Sequence, residues 1–292
     1  MKSTLLSYVN AHTLENSGSD GVAQTAVSGL STVRAEQPRP LIHAVSKPAA
    51  VLILQGQKEV ATNFTSQIFQ TGDSLLITAN LPTESRIVEA SSDTPYLSVV
   101  IELDVALIAD LMGEMGLSTT ALTKRVSGAP TDEEVADAAL RLMRMIGKPE
   151  TVKILQSQLM RELHYWLLAG RHGPAVCQLG GSDSHAQRIA RAVALLRSKF
   201  DRPLPVDQLA SEAGMSPSAF HEHFKTITSL SPLQFQKRLR LVEARRLMIS
   251  EGLSANASAF AVGYASVPQF TRDYGRVFKL PPAQDARKAM SS

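Results

Sequence analysis

Two stretches decide how this chain is read: LASEAGMSPSAFHEHFKTITSLSPLQFQKRLRLVEARRLM at 209–248 and AFAVGYASVPQFTRDYGRVFKLPP at 259–282. Val206, Leu209, Ala210 and Ala213 recur at i, i+3, i+4 and i+7, which predicts a short amphipathic helix. Gly214 closes it, since glycine takes positive φ without steric cost. Ser216 is a good N-cap and Pro217 a good first residue for the next helix, which would bury Phe220, Phe224 and Ile227. A short helix, a glycine-containing turn and a second short helix make a helix-turn-helix over about 206–227.

The arrangement recurs. Ser231-Pro232 opens a long helix to about 250 that carries Lys237, Arg238, Arg240, Arg245 and Arg246. Ala257, Phe260 and Ala261 follow, then the turn Gly263-Tyr264-Ala265-Ser266 and a helix that would bury Phe270, Tyr274 and Val277. This second unit spans about 254–278. Phe220 and Phe270 are equivalent, fifty residues apart. The outward positions Ser216, Ser218, His221, Glu222 and Lys225 of the first motif and Gln269, Thr271, Arg272 and Arg276 of the second are polar. Such side chains suit base edges and phosphates of a major groove.

Charge agrees with this. Residues 185–292 carry 16 Lys and Arg against 8 Asp and Glu, whereas residues 1–184 carry 14 against 19. A basic module on a mildly acidic one points to a polyanionic partner, although solvated helix faces are often basic too. Upstream, Ile189, Val193, Leu196 and Phe200 form one more apolar stripe, broken at Pro203-Leu204-Pro205. The stretch RHGPAVCQLGGSDS at 171–184 lacks periodicity and reads as a linker.

Residues 1–15 read as a short helix and 16–40 as loosely structured. From about 41 to 103 short apolar runs, VLIL at 51–54, SLLIT at 74–78 and YLSVVIEL at 96–103, stand between turn residues at Gln55-Gly56, Gly72-Asp73, Leu81-Pro82-Thr83 and Asp93-Thr94-Pro95. This predicts an antiparallel sheet or small barrel. Val99 and Ile101 alternate with Val100 and Glu102, as in a strand with one partly buried face. Thr131-Asp132-Glu133-Glu134 reads as a capping box before a helix with Val135, Ala138, Ala139, Leu142 and Ile146 on one side. A second helix follows, with Val152, Leu155, Leu159, Leu163 and Trp166, and ends at Ala169-Gly170. Core packing alone explains these stripes, and a dimer interface is the other reading.

The two C-terminal stretches resemble the DNA-binding domain of AraC-type transcription regulators over about 185–290. The segments VLILQGQKEV at 51–60, GDSLLITANLPTES at 72–85 and DTPYLSVVIELD at 93–104 look like the sensor domain of one AraC-type subgroup. The resemblance implies an α+β chain: an N-terminal cupin-like β-barrel with following helices at 1–170, a linker at 171–184, and an all-α double helix-turn-helix domain at 185–292. It implies a regulator that binds double-stranded DNA, takes a small effector in the barrel and forms a homodimer, with RNA polymerase as an open further partner. Three departures stand out. Ser229 and Lys279 occupy places where the family usually has glycine, and Val267-Pro268 opens the second recognition helix where polar residues are common. The first motif is therefore expected to carry most sequence preference, and the second to hold phosphate.

Other classes fit less well. The one cysteine, Cys177, rules out a disulfide within the chain, a multi-thiolate zinc site and a methyl-acceptor repair domain built on several cysteines. Its redox role stays open, and would need exposure and a lowered pKa. The one His-x-His pair, His221 and His223, falls in the first recognition helix, and the predicted barrel holds His43 alone, so no metal, catalytic site or cofactor is expected. The competing reading is a metal-independent cupin enzyme fused to a DNA-binding tail. No apolar run is long enough to cross a membrane and the N-terminus does not read as a signal peptide, so the expected location is cytoplasmic and nucleoid-associated.

Overall fold

In the computed structural model, which describes residues 2–18, 20–62, 66–118, 125–180 and 185–290, the chain divides into two units, Met1–Gln187 and Arg188–Ser292.

The first unit opens with α1 (Lys2–Asn16), followed by β1 (Val22–Gln24), β2 (Leu30–Ala35), β3 (Ile42–Ser46), β4 (Ala49–Gln55), β5 (Gln57–Ala61), β6 (Ser66–Gln70), β7 (Asp73–Ile77), β8 (Leu81–Glu89) and β9 (Tyr96–Glu102). Then come α2 (Val105–Met115), β10 (Val126–Pro130), α3 (Glu133–Met145), α4 (Pro149–Ala169) and α5 (Gly173–Gly180). The strands form two antiparallel sheets, one ordered β1-β2-β9-β4-β7-β10 and the other β3-β8-β5-β6.

The larger sheet is buried on both faces, which explains its near-continuous apolar runs. Ala50, Leu52, Leu76, Leu97, Val99 and Ile101 face the helices, while Val51, Ile53, Leu75, Ile77 and Tyr96 belong to the cluster shared with the smaller sheet. The period of two along each strand sorts them. Val100 packs against that second cluster, so β9 has two apolar faces rather than one. On the helix side, Leu5 and Val9 of α1, Ile108 and Met112 of α2, Val135 and Leu142 of α3 and Leu163 and Leu167 of α4 complete the core.

Several expectations need correction. The segment 16–40 contributes β1 and β2, which pair with each other, and β2 pairs with β9. Leu81-Pro82-Thr83 opens a strand instead of a turn. The N-cap of α3 is Asp132, whose side chain makes no cap bond; its carboxylate accepts from the Arg171 backbone N–H at 3.0 Å instead. The Thr131 N–H donates to Gly72 O, so Thr131 belongs to the strand connection. Leu155 of α4 is 43% exposed and lies off the buried stripe. Residues 173–180, read as linker, form α5, and a Cβ on Gly180 would lie 2.6 Å from side-chain atoms of Ile108 and Met112 on α2. The rest of that stretch, 181–184, lies outside the described residues. Cys177 sits in α5, buried, and burial raises its thiol pKa. That is the opposite of what an electrophile or redox sensor needs.

The second unit is helical: α6 (His185–Ser198, whose first residues belong to the first unit's range), α7 (Val206–Ala213), α8 (Pro217–Thr228), α9 (Pro232–Ser250), α10 (Ala255–Ala261), α11 (Val267–Phe278) and α12 (Pro282–Met290). The sequence reading did not foresee α12. In α10 Ala259 and Val262 are buried, while Phe260 is 59% exposed. Ile227 and Val277 are only half-buried, with Thr228 and Phe278 taking the deeper positions.

Candidate nucleic-acid interface

Each recognition helix is an exposed polar face backed by an aromatic anchor. In α8, Phe220 and Phe224 are fully buried, 5.3 Å apart, and Phe224 meets Phe235 of α9 edge-on at 5.5 Å. In α11, Phe270 and Tyr274 are fully buried, with ring centroids 5.4 Å apart, and Tyr264 packs on Phe270 at 5.3 Å. Fully burying one such ring is worth about 1.5–3 kcal/mol. The anchors fix the azimuth of each helix, and so decide which side chains face out.

All nine outward candidates, Ser216, Ser218, His221, Glu222, Lys225, Gln269, Thr271, Arg272 and Arg276, are exposed. At 100° per residue, Ser218, Glu222 and Lys225 share the centre of the α8 face and His221 flanks it. On α11, Gln269, Arg272 and Arg276 share the face and Thr271 lies to one side. Ser216 has a local duty, since its Oγ accepts from the Ala219 N–H as the N-cap of α8. Ser266, its counterpart before α11, makes no such side-chain bond.

The helices are set by a polar frame that the sequence does not reveal. Arg188 donates to Ala213 O at 2.9 Å and Arg191 to Glu212 O at 3.2 Å, so two cations of α6 neutralise the C-terminal end of α7. Arg240 of α9 donates to Phe200 O at 2.7 Å and to Gly263 O at 2.8 Å, and Gln236 donates to Phe200 O and Arg202 O. Burial lowers the Arg240 pKa. Gly263 permits this closeness: its φ is +86°, and a Cβ there would lie 1.9 Å from Asp201 O. Arg245 pairs with the buried Asp285 of α12 at 2.8 Å, and the Tyr274 hydroxyl donates to the same carboxylate at 2.7 Å. Lys237 reaches Asp273 of α11 at 3.3 Å, and Arg246 pairs with Glu243 and Glu251. Most of the positive charge of α9 is therefore committed inside the unit. Basic residues at helical spacing look the same in a sequence whether they meet solvent or a neighbouring helix.

Both glycine departures sit at helix ends in left-handed conformation, Ser229 with φ 65° after α8 and Lys279 with φ 62° after α11. Each N–H closes its helix, onto Lys225 O and Gly275 O respectively. The backbone kept the turn where the side chain changed.

Among the described residues no group of three or more His, Cys, Asp or Glu is placed to hold a metal, and no helix is long and apolar enough to cross a membrane.

The family model for the AraC-type transcriptional regulator N-terminus matches residues 26–175, half of the chain, and a helix-turn-helix domain model matches 209–288. The chain belongs to the AraC-type transcriptional regulators. Within the family it is 29% identical over 112 residues to the HTH-type transcriptional regulator GbdR of Pseudomonas aeruginosa, covering 38% of this chain and 30% of GbdR. To the HTH-type transcriptional activator RhaS of Escherichia fergusonii it is 28% identical over 106 residues, covering 36% of this chain and 38% of RhaS. The chain thus spans about a third of the length of these curated relatives. The fold extends further than the sequence likeness. A crystal structure of apo ToxT from Vibrio cholerae superposes with a TM-score of 0.55 at 10% identity, covering 89% of this chain and 98% of ToxT. That structure has the same α+β plan.

Proposed function

We propose that this AraC-type chain is a sequence-specific DNA-binding transcription regulator whose C-terminal unit lays α8 and α11 in neighbouring major grooves. The observation that carries this is the pair of helices with buried aromatic backs and wholly exposed polar faces. Neutralised phosphates supply most of the affinity and make it salt-dependent. Ser218, His221, Glu222 and Lys225 read bases, and Gln269, Thr271, Arg272 and Arg276 chiefly hold phosphate. Glu222 is suited to accept from a cytosine amino group.

The N-terminal unit, a cupin-like sensor in this reading, binds a small effector between its sheets, makes the homodimer and acts on RNA polymerase through the bound promoter. ToxT has been solved with an unsaturated fatty acid bound, which supports an effector in this architecture. An effector shifts the DNA-bound population only as far as its affinities for the two states differ. The protein works on the nucleoid in the cytoplasm and turns over no substrate.

The test is selection of DNA from a random pool with the full chain, followed by affinity measurement across salt. Enrichment of one motif, with affinity falling steeply as salt rises, is expected. A pool that yields no motif would contradict the reading.

A further inference from the structure

The space between the two sheets holds an unpaired ammonium group. Lys58 lies opposite Phe69 of β6 and Ile87 of β8 in the strand register. Residues directly opposite in an antiparallel ladder project to the same side. Phe69 and Ile87 are buried in the cluster between the sheets, so Lys58 projects there too. Protein surrounds its side chain, yet part of the residue stays accessible. No carboxylate pairs with it among the described residues, and burial alone pushes its pKa below the usual lysine range.

Two more polar groups point into the same region. Tyr96 and Ser98 alternate on one face of β9, both fully buried. The two hydroxyls lie close enough to interact with each other, but neither makes a well-aligned hydrogen bond among the described residues. The start of β9 meets the start of β5, because a Cβ on Gly56 would lie 3.1 Å from the Tyr96 Cα. A buried cation, and two buried hydroxyls left with at most each other as partner, are unfavourable for folding. Proteins keep such groups where function needs them. Around them the lining is apolar: Val33 and Val100 pack on the same cluster without being sealed from solvent.

We propose that the effector is an organic anion with an apolar body, its carboxylate held by the Lys58 ammonium and the Tyr96 and Ser98 hydroxyls. This rests on the reading that the effector binds in the N-terminal unit. An ammonium in a low-dielectric site rewards an anion over a neutral isostere, and the two hydroxyls supply donors to its remaining lone pairs.

The test uses three probes with one body and different heads: 4-phenylbutyrate, 4-phenylbutanol and 4-phenylbutylamine. Their binding to the full chain is measured by titration calorimetry, beside Lys58→Met, Lys58→Arg and Tyr96→Phe. The expected result is that the acid binds at least tenfold tighter than the alcohol. K58M should erase that preference, K58R should retain most of it, and the alcohol should bind all forms alike. K58M should also melt at or above the wild-type temperature, because it removes an unpaired buried charge; a purely structural lysine would give the reverse. Equal binding of acid and alcohol, or a preference that survives K58M, overturns the anion assignment while leaving an effector site in place. Absence of binding by all three probes, with DNA binding intact, counts against the anion and the effector site together.

Discussion

Glu222 and Arg272 stand at the same place on their helices, the sixth residue of α8 and of α11, and carry opposite charge. Both are exposed at the centre of the outward face. Against a single polyanion, as proposed, the two cannot play the same part. A carboxylate is repelled by phosphate and is tolerated only where a base-edge donor meets it, whereas a guanidinium is attracted everywhere along the backbone. Glu222→Ala is therefore expected to change which sequences are selected, with a shift of about 1–3 kcal/mol at one base position. Arg272→Ala should weaken all sequences alike and reduce the salt slope by about 1. Affinity measured on a panel of single-base variants at several salt concentrations separates the two. A uniform loss in E222A would contradict its assignment.

Ser229 and Lys279 hold left-handed conformations that cost a residue with a Cβ roughly 1–2 kcal/mol. Glycine removes that cost but gains freedom in the unfolded chain, worth about 0.4–1 kcal/mol. Ser229→Gly and Lys279→Gly should each stabilise the C-terminal unit by about 0–1.6 kcal/mol on this balance. Urea titration checks this, and destabilisation by S229G would show that its side chain matters more than its backbone.

Much of this unit was legible from sequence because punctuation is local. Gly214, Ser216-Pro217 and Ser231-Pro232 act through their own φ angles and caps, and they bound α7, α8 and α9 where expected. The register of fifty carries further than Phe220 and Phe270: Ser229 matches Lys279, Leu230 matches Leu280 and Pro232 matches Pro282. Followed to its end, it would have foretold α12. The misses lie where partners are distant in sequence. Strands β1 and β2 are short, three and six residues, and are held by pairing: β2 lies against β9, 66 residues further on, and β1 against β2. Asp132 was hidden because its partner Arg171 lies 39 residues away. Nothing in the sequence marks Lys58 either, since its face is set by pairing with β6 and β8.

Asp285 joins α9, α11 and α12 through Arg245 and the Tyr274 hydroxyl. Asp285→Ala leaves the Arg245 guanidinium partly buried without its carboxylate, and breaking such a pair costs about 3–5 kcal/mol when fully buried, somewhat less here. Tyr274→Phe removes one hydrogen bond and should cost about 1–2 kcal/mol. Both should weaken DNA binding through the second helix-turn-helix while leaving the sequence preference of the first. Calorimetric melting and the same DNA panel read these effects, and equal losses from D285A and Y274F would contradict the charge argument.

Two buried histidines, beside the half-buried His12 whose pKa burial also lowers, give the first unit a pH dependence. His164 Nε2 accepts from the Asp104 N–H at 3.0 Å while Nδ1 lies 2.7 Å from Met160 O, so Nδ1 carries the proton and the ring is neutral. Ser74 Oγ meets His172 Nε2 at 2.5 Å. Burial lowers both pKa values from 6.5, outweighing the Met160 carbonyl and the Asp104 carboxylate at His164 and the Asp132 carboxylate at His172. The unfolded chain then binds these protons more tightly than the folded one. Stability is intact above pH 6.5 and falls as pH drops below it. Melting of the full chain between pH 8 and 5 should show that slope, and His164→Gln should flatten it; an unchanged slope in H164Q would assign the effect elsewhere.

The most direct test of the two-helix account is hydroxyl-radical footprinting of the full chain on its selected DNA, repeated with Arg272→Ala combined with Arg276→Ala. Two protected segments on one side of the duplex, about one helical turn or ~34 Å apart, are predicted. The double substitution should abolish only one of them. A single protected segment, identical in the wild type and the double variant, would contradict the claim that α8 and α11 enter neighbouring grooves.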